Sequence, residues 1–353
     1  MNHNSEQRNS LLGKTIEQIF ELLQPLGEPE YRARQIYKWI HHYNVDHFEE
    51  MTNLPKSLRY KLHDRFQIKT LRLLHKHQAQ DGTEKYVWQC ADKRVVESVF
   101  IPEARRHTVC ISSQVGCSLG CQFCATGTMG LVRSLSAGEI VEQVLHIKKI
   151  SQFPITNVVF MGMGEPFMNY QRTIQASQIL ADPEGVAIAS KKITISTSGI
   201  VPKIIQYTDE AHPFGLAISL HAPEQQLREK IMPIAKKFPL DQLMNSIRYY
   251  MQAKKRNRVT FEYVLLAGIN DSPAEAKQLI RLLSPLRCKL NIIPCNQNNL
   301  GFYPPSEENL HKFVTLLLKA PFAITVRKNR GEDITAACGQ LAVQIQEKSI
   351  FMK

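Results

Sequence analysis

Gly116-Cys117-Ser118-Leu119-Gly120-Cys121-Gln122-Phe123-Cys124 sets three cysteines at Cys-x3-Cys-x2-Cys spacing on one short loop. Thiolates so placed can wrap three irons of a cubane and leave the fourth iron bare. Iron–sulfur clusters ordinarily take four thiolates, so a loop that stops at three points to a small molecule completing the site. Gly116 and Gly120 let the backbone fold tightly around so bulky a group. A zinc knuckle or a set of buried thiols is the competing reading. Zinc sites pair two cysteines with two further ligands at a distance, and no second pair at such spacing follows here. Cys117, Cys121 and Cys124 are therefore the candidate ligands.

Toward the C-terminus, 155–161, 192–196, 216–220, 259–264, 289–293 and 323–327 read as six strands with helical patterns between most of them. Repeated strand–helix units argue for a parallel sheet with right-handed crossovers. Their number alone does not separate a doubly wound sheet from a barrel. In such folds function gathers in the loops after the carboxyl ends of strands, and the polar clusters fall there. They are Gly162-Met163-Gly164-Glu165-Pro166, Ser196-Thr197-Ser198-Gly199, Ser219-Leu220-His221-Ala222-Pro223 and Ile293-Pro294-Cys295-Asn296. One such cluster is ordinary turn chemistry; four in succession on one rim read as a site.

Toward the N-terminus, 70–101 turns to strand patterns, with Asp81-Gly82 as a turn signal, and reads as a hairpin-like extension leading into the core. Glu97 stands inside an apolar run, where a carboxylate is costly unless paired or neutral. Either it faces solvent from one side of the strand or it handles a proton. Ahead of the extension, Ile16, Ile19, Phe20 and Leu23 stand at helical spacing before Pro25 and Gly27. A second helix from Glu30 carries Tyr31, Ile36, Trp39 and Ile40, and a third pattern surrounds Phe48 to Leu62 with Pro55 in an early-helix position. These stripes suit a small helical bundle, on which Arg32, Arg34, Lys38, His41 and His42 would form a basic face open to RNA. The expected division is 1–70 as helical accessory domain, 71–105 as β extension, and 106–353 as core.

The chain's 353 residues allow one large domain with an appendage, and 43% hydrophobic with 22% charged residues is ordinary for a soluble protein. No apolar run approaches the roughly eighteen residues of a membrane span, and the first residues lack the apolar core of a signal peptide. A cytoplasmic location is expected, where eight cysteines read as reactive or metal-binding groups and not as a disulfide framework. Lys plus Arg exceed Asp plus Glu by 44 minus 32, or +12. The excess recurs in clusters at 105–107, 191–192, 254–258 and 327–330, a field that favours a polyanionic partner.

The three-cysteine loop followed by Gly164-Glu165-Pro166 resembles the radical S-adenosylmethionine (SAM) enzymes, and within them the RlmN-type adenine C2-methyltransferases. The resemblance spans nearly the whole chain, is strongest from Val109 to Leu341, and continues more weakly in Glu28-Pro29-Glu30-Tyr31-Arg32-Ala33-Arg34-Gln35-Ile36. It implies an α/β fold: a partial (β/α)6 TIM-type barrel with a helical accessory domain and a short β extension. It also implies one [4Fe-4S] cluster and SAM, used twice per turnover. SAM would chelate the bare iron and be split by one electron to a 5'-deoxyadenosyl radical. Gly164, Glu165, Ser196, Ser219, Leu220, His221 and Asn296 would line the SAM pocket, with Glu165 receiving the methionine ammonium. Pro166 and Ser198 tilt the likeness to carbon 2, because the related Cfr-type enzymes, which methylate carbon 8 of the same adenine, tend to lack both.

The same resemblance assigns catalytic roles to Cys110 and Cys338 and makes Glu97 a candidate proton acceptor. Cys90, Cys288 and Cys295 read as small buried hydrophobes. Carbon 2 of adenine lies between two ring nitrogens and is too electron-poor to attack a sulfonium methyl, whereas a thiolate can. Cys338 would take the methyl first, yield it as a sulfur-bound methylene radical, and join the RNA; Cys110 would remove the proton and release the product through a transient disulfide. The implied substrates are an adenine in the peptidyl-transferase region of 23S rRNA and adenine 37 of tRNA, reached by base flipping. A flavodoxin- or ferredoxin-type electron donor, a monomeric state and no membrane partner complete the expectation. A radical SAM activase or methylthiotransferase would lack the Cys110 and Cys338 pair. A noncatalytic RNA-binding protein would leave the cysteine loop unexplained.

Overall fold

The computed structural model describes residues 9–253, 258–296, 300–327, 330–336 and 339–341. Strands β1 (Asn9–Ser10) and β2 (Phe66–Gln67) pair in parallel and clasp a three-helix module of α1 (Ile16–Leu23), α2 (Glu30–His41) and α3 (Lys56–Arg65). A capping box starts α1: Thr15 Oγ1 accepts from Gln18 N and Gln18 Oε1 accepts from Thr15 N. Ile19, Leu23, Ile36, Ile40, Leu58 and Leu62 bury the shared face. Tyr31, expected in that stripe, is instead 57% exposed.

Part of the basic stripe of α2 is engaged inside the chain, some of it with the core. His41 is buried, Arg34 bonds Glu184 at 3.0 Å, and His42 Nδ1 lies 3.2 Å from the Gly185 carbonyl. Tyr37 donates to Asp182 at 2.8 Å on the same face. Side-chain charge alone could not distinguish a face turned to a partner from one turned to the rest of the chain.

Four antiparallel strands follow, β3 (Arg72–Gln78), β4 (Glu84–Gln89), β5 (Val95–Glu103) and β6 (Arg106–Cys110). The cysteine loop is held by a separate ribbon, β7 (Gln114–Cys117) with β8 (Gly130–Ser134), and by the one-turn α4 (Ala125–Thr128). After α5 (Ala137–Ile150) come β9 (Asn157–Phe160), α6 (Tyr170–Ala181), β10 (Ile193–Thr197), α7 (Val201–Asp209), β11 (Gly215–Ser219) and α8 (Gln225–Ile231). Then follow α9 (Leu240–Ala253), β12 (Val259–Leu265), α10 (Pro273–Leu283), β13 (Cys288–Pro294), α11 (Glu307–Leu317) and β14 (Ala323–Val326). One ten-stranded sheet runs β14-β13-β12-β11-β10-β9-β6-β5-β4-β3, parallel from β14 to β6 and antiparallel beyond. The six expected strands each lie within two residues of their predicted bounds, and the extension forms the antiparallel end of the core sheet. Among the described residues β3 and β14 stay apart, so the barrel is partial.

Register sorts the two faces. Residues paired laterally share a face, and alternate residues along a strand oppose it. One face therefore carries Val158, Ile195, Leu216, Ile218, Phe261 and Leu290, buried against the helices. The other carries Glu97, Cys110, Ser196, Ser219, Glu262 and Asn291. Parallel strands covered on both sides usually read as continuous apolar runs; the polar register marks this second face as the working one.

One buried group ties the module to the core and a second holds the module together. The Glu142 carboxylate on α5 accepts from Thr70 N and Oγ1 and from Leu71 N, all within 3.0 Å. His41 Nε2 accepts from Gly13 N at 3.0 Å, and its Nδ1 faces the Tyr37 carbonyl at 3.1 Å. Burial pulls the His41 pKa from 6.5 down to about 4. The unfolded chain then binds a proton that the folded one refuses, so stability is complete above about pH 6.5 and falls as pH drops toward 4. The expected loss is about 2 kcal/mol by pH 5. Calorimetric melting of the wild type and His41→Gln should show the slope flattened in the variant; equal slopes would exclude His41 as its source.

Candidate active site

Cys124, Gly164, Glu165, Ser196, Ser219 and His221 line one cleft at the carboxyl ends of the parallel strands. Five of these are residues expected around SAM, and Cys124 is one of the three expected cluster ligands. Glu165, 3% exposed, accepts from Phe167 N at 3.0 Å through Oε1 and from Ser198 N at 2.8 Å through Oε2. Burial raises its pKa against the pull of these hydrogen bonds. Its backbone N–H donates to Gln114 Oε1 at 2.9 Å, which ties the Gly-Glu-Pro turn to the strand feeding the cysteine loop. Gly164 makes that approach possible. Its φ is +98°, and a Cβ there would lie 2.5 Å from Gln114 Cβ and 2.8 Å from Gln114 N.

His221 Nδ1 accepts from Val264 N at 3.0 Å. A backbone N–H can only donate, so the ring proton sits on Nε2. Burial, and then the Arg228 charge, depress its pKa to about 3, leaving a neutral imidazole edge-on to Phe123. Leu220 takes no place on the cleft wall: its N–H donates to the Glu262 carbonyl at 3.0 Å and its carbonyl accepts from Arg228 Nε at 3.1 Å. Asn296 lies beyond β13, with its Oδ1 buried and, among the described residues, without a hydrogen-bond partner.

Three groups that no motif marked line or brace the cleft. The Glu262 carboxyl lines the cleft and accepts from Asn291 Nδ2 at 2.7 Å; burial raises its pKa, with Asn291, Arg327, Lys289 and Arg106 opposing. Asn270, wholly buried, donates to the His221 and Val264 carbonyls at 2.8 and 2.7 Å. Arg228 fastens the loops after β10 and β11. The one available signal was periodicity: Glu262 alternates into the polar register of an otherwise apolar strand.

Glu97 is 3% exposed, so the solvent-facing alternative does not hold. Its Oε1 lies 3.8 Å from Lys85 Nζ, and Lys85 donates to Thr335 Oγ1 at 2.9 Å. Cys110, 7% exposed, pairs with Val99, two residues from Glu97 on the same face. Cys90, Cys288 and Cys295 are buried, as expected. Cys338 lies outside the described residues. Ahead of it, Asp333 accepts from Gln80 N at 3.1 Å; behind it, the Gly339 carbonyl accepts from Ala125 N at 2.6 Å.

This fold and site define a radical SAM enzyme. Residues 111–280 match the radical SAM superfamily, and residues 9–68 match the ribosomal RNA large subunit methyltransferase N-terminal domain. Over 98% of its length the chain is 41% identical to the dual-specificity RNA methyltransferase RlmN of Alcanivorax borkumensis, of which it covers 93%. The crystal structure of a radical SAM methyltransferase from Sphaerobacter thermophilus superposes with a TM-score of 0.90 at 42% identity, over 94% of this chain and 99% of that one. The chain belongs to the RlmN family of radical SAM RNA methyltransferases.

Radical SAM enzymes use a [4Fe-4S] cluster and SAM, and the residues present fit both. Burial raises the Cys121 thiol, and the neighbouring Cys124 and Cys117 raise it further, so the three sulfurs crowd one another. Burial also pushes Cys117 up to about 11. Yet among the described residues no three His, Cys, Asp or Glu side chains converge on a point fit for one metal ion. For SAM, the unpartnered Asn296 Oδ1 offers an acceptor and Glu165 a carboxylate beside the loop. Gly164→Ala should therefore weaken SAM binding by about five- to 150-fold by driving the turn off Gln114, an overpacking cost of about 1–3 kcal/mol. Equilibrium dialysis would read it, and unchanged affinity would contradict the close-approach role.

Proposed function

We propose that this chain methylates carbon 2 of adenine in the peptidyl-transferase region of 23S rRNA and of adenine 37 in tRNA. The observation that carries this reading is the anchoring of the Cys338 flanks. Thr335 is tied to the strand opposite Glu97 through Lys85, and Gly339 is tied to the cysteine loop through Ala125. The name of the Alcanivorax relative supports RNA as substrate.

When bound, the cluster at Cys117, Cys121 and Cys124 supplies the electron that splits SAM to a 5'-deoxyadenosyl radical. Gly164, Glu165, Ser196, Ser219, His221 and Asn296 hold SAM beside it, Glu165 taking the methionine ammonium. Cys338 accepts a methyl from a first SAM as a thiolate nucleophile, gives up one hydrogen from that methyl in a second SAM-dependent step, and bonds carbon 2 through the remaining methylene. Once the adduct's unpaired electron has returned to the one-electron donor, Cys110 takes the carbon 2 proton, with Glu97 as the alternative acceptor; the Cys110 sulfur then attacks that of Cys338, so that the S–S bond forms as the S–CH2 bond breaks and the freed carbon takes a proton to complete the methyl. A small flavodoxin- or ferredoxin-type protein delivers electrons to the monomer in the cytoplasm. Among the described residues no helix is long and apolar enough to cross a membrane.

RNA from cells with and without this protein, digested and resolved by mass spectrometry against both isomers, tests the reading. Loss of 2-methyladenosine from both RNAs is expected. A loss confined to 8-methyladenosine would transfer the chain to Cfr-type chemistry.

A further inference from the structure

We infer that the buried Arg228 guanidinium is the counter-charge of the thiolate-held cluster, raising its reduction potential while it clamps the loops that face SAM. This rests on the cluster reading above. Arg228 projects from α8 and is 0% exposed. Its hydrogen bonds all go to carbonyls: Nε to Leu220 at 3.1 Å, and Nη2 to Ser198 at 2.6 Å and to Ser219 at 3.2 Å. Among the described residues no carboxylate forms an ion pair with it, and a negative charge on Cys121 of the cysteine loop would favour its charged form.

A buried cation costs several kcal/mol unless an anion meets it, and carbonyl dipoles supply no net charge. The cysteine loop is seated on the same helix: Gln122 N donates to the Ile231 carbonyl at the end of α8, at 2.9 Å. Three thiolates outweigh the positive charge of an oxidised cubane core, and an added electron widens the excess. Net charge near a cluster is among the quantities that set its potential, so Arg228 stabilises the reduced form more than the oxidised one. Clamp and charge are separable, because lysine keeps the charge without the fork, whereas methionine keeps bulk and loses both.

The test is an anaerobic redox titration of the reconstituted wild type, Arg228→Met and Arg228→Lys, followed by electron paramagnetic resonance without SAM. Arg228→Met should shift the reduction equilibrium about tenfold toward the oxidised form, about 59 mV for one electron, while Arg228→Lys stays near the wild type. Both variants should bind SAM more weakly by dialysis, the mark of the lost clamp. Retention of the cluster by the lysine variant and its loss from the methionine variant would carry the same conclusion. An unmoved potential in Arg228→Met, equal shifts in the two variants, or equal loss of cluster from both would overturn it. Wild-type protein that binds no cubane would instead defeat the cluster reading itself.

Discussion

Cys338→Ala should keep the cluster absorption of the wild type and lose adenine methylation by at least about a thousandfold, the scale expected when a covalent nucleophile is removed. The cluster is unaffected because its three candidate ligands lie on a loop with its own ribbon, β7 with β8. The C-terminal segment reaches that loop through main-chain bonds, such as Ala125 N to the Gly339 carbonyl, which alanine at 338 does not remove. A methyl carried on a cysteine sulfur marks its peptide by mass. Wild-type protein incubated with SAM should therefore yield a Cys338 peptide heavier by one methyl, and the variant should not. Methylation persisting near the wild-type rate in Cys338→Ala would place the methyl relay on another residue or remove it from the mechanism.

The parts of the site that repeat a local rule were legible in the sequence. The cysteine spacing, the strand–helix alternation and the polar loops after strands each need only a few neighbouring residues, and the cleft gathers Glu165, Ser196, Ser219 and His221 where alternation put them. What could not be read depends on long-range packing. Arg228 looks like one more basic residue of a short polar helix until three carbonyls from two loops converge on it. The α2 basic stripe looks like an RNA face until Glu184 and the Gly185 carbonyl cover part of it. The surroundings of Leu220 were hidden for a related reason: its motif was read as a unit, whereas its N–H bonds the Glu262 carbonyl and its carbonyl the Arg228 side chain. Glu97 was left between two readings, because strand alternation gives a side without saying which side is buried; the pairing of β4 and β5 decides that.

Cys110→Ala should arrest the reaction with enzyme and RNA joined, so that denaturing gels show a nearly stoichiometric protein–RNA species and product release falls about a thousandfold. Alanine is well tolerated sterically at a site 7% exposed between Val99 and Val159, and folding should survive. On the proposed mechanism the adduct forms first, because bond formation to carbon 2 would need only Cys338, and Cys110 would enter when the proton leaves and the carbon–sulfur bond breaks. The two cysteines act in sequence as one unit, so their effects should not add. Cys110→Ala combined with Cys338→Ala should accumulate no adduct at all. Glu97 stands on the same face and is held 3.8 Å from Lys85, which makes it the rival base. If Glu97→Gln traps the adduct and Cys110→Ala releases clean product, the proton goes to the carboxylate and the proposed part of Cys110 falls. If both variants trap it, the proton passes through Glu97 while the sulfur–sulfur step remains with Cys110.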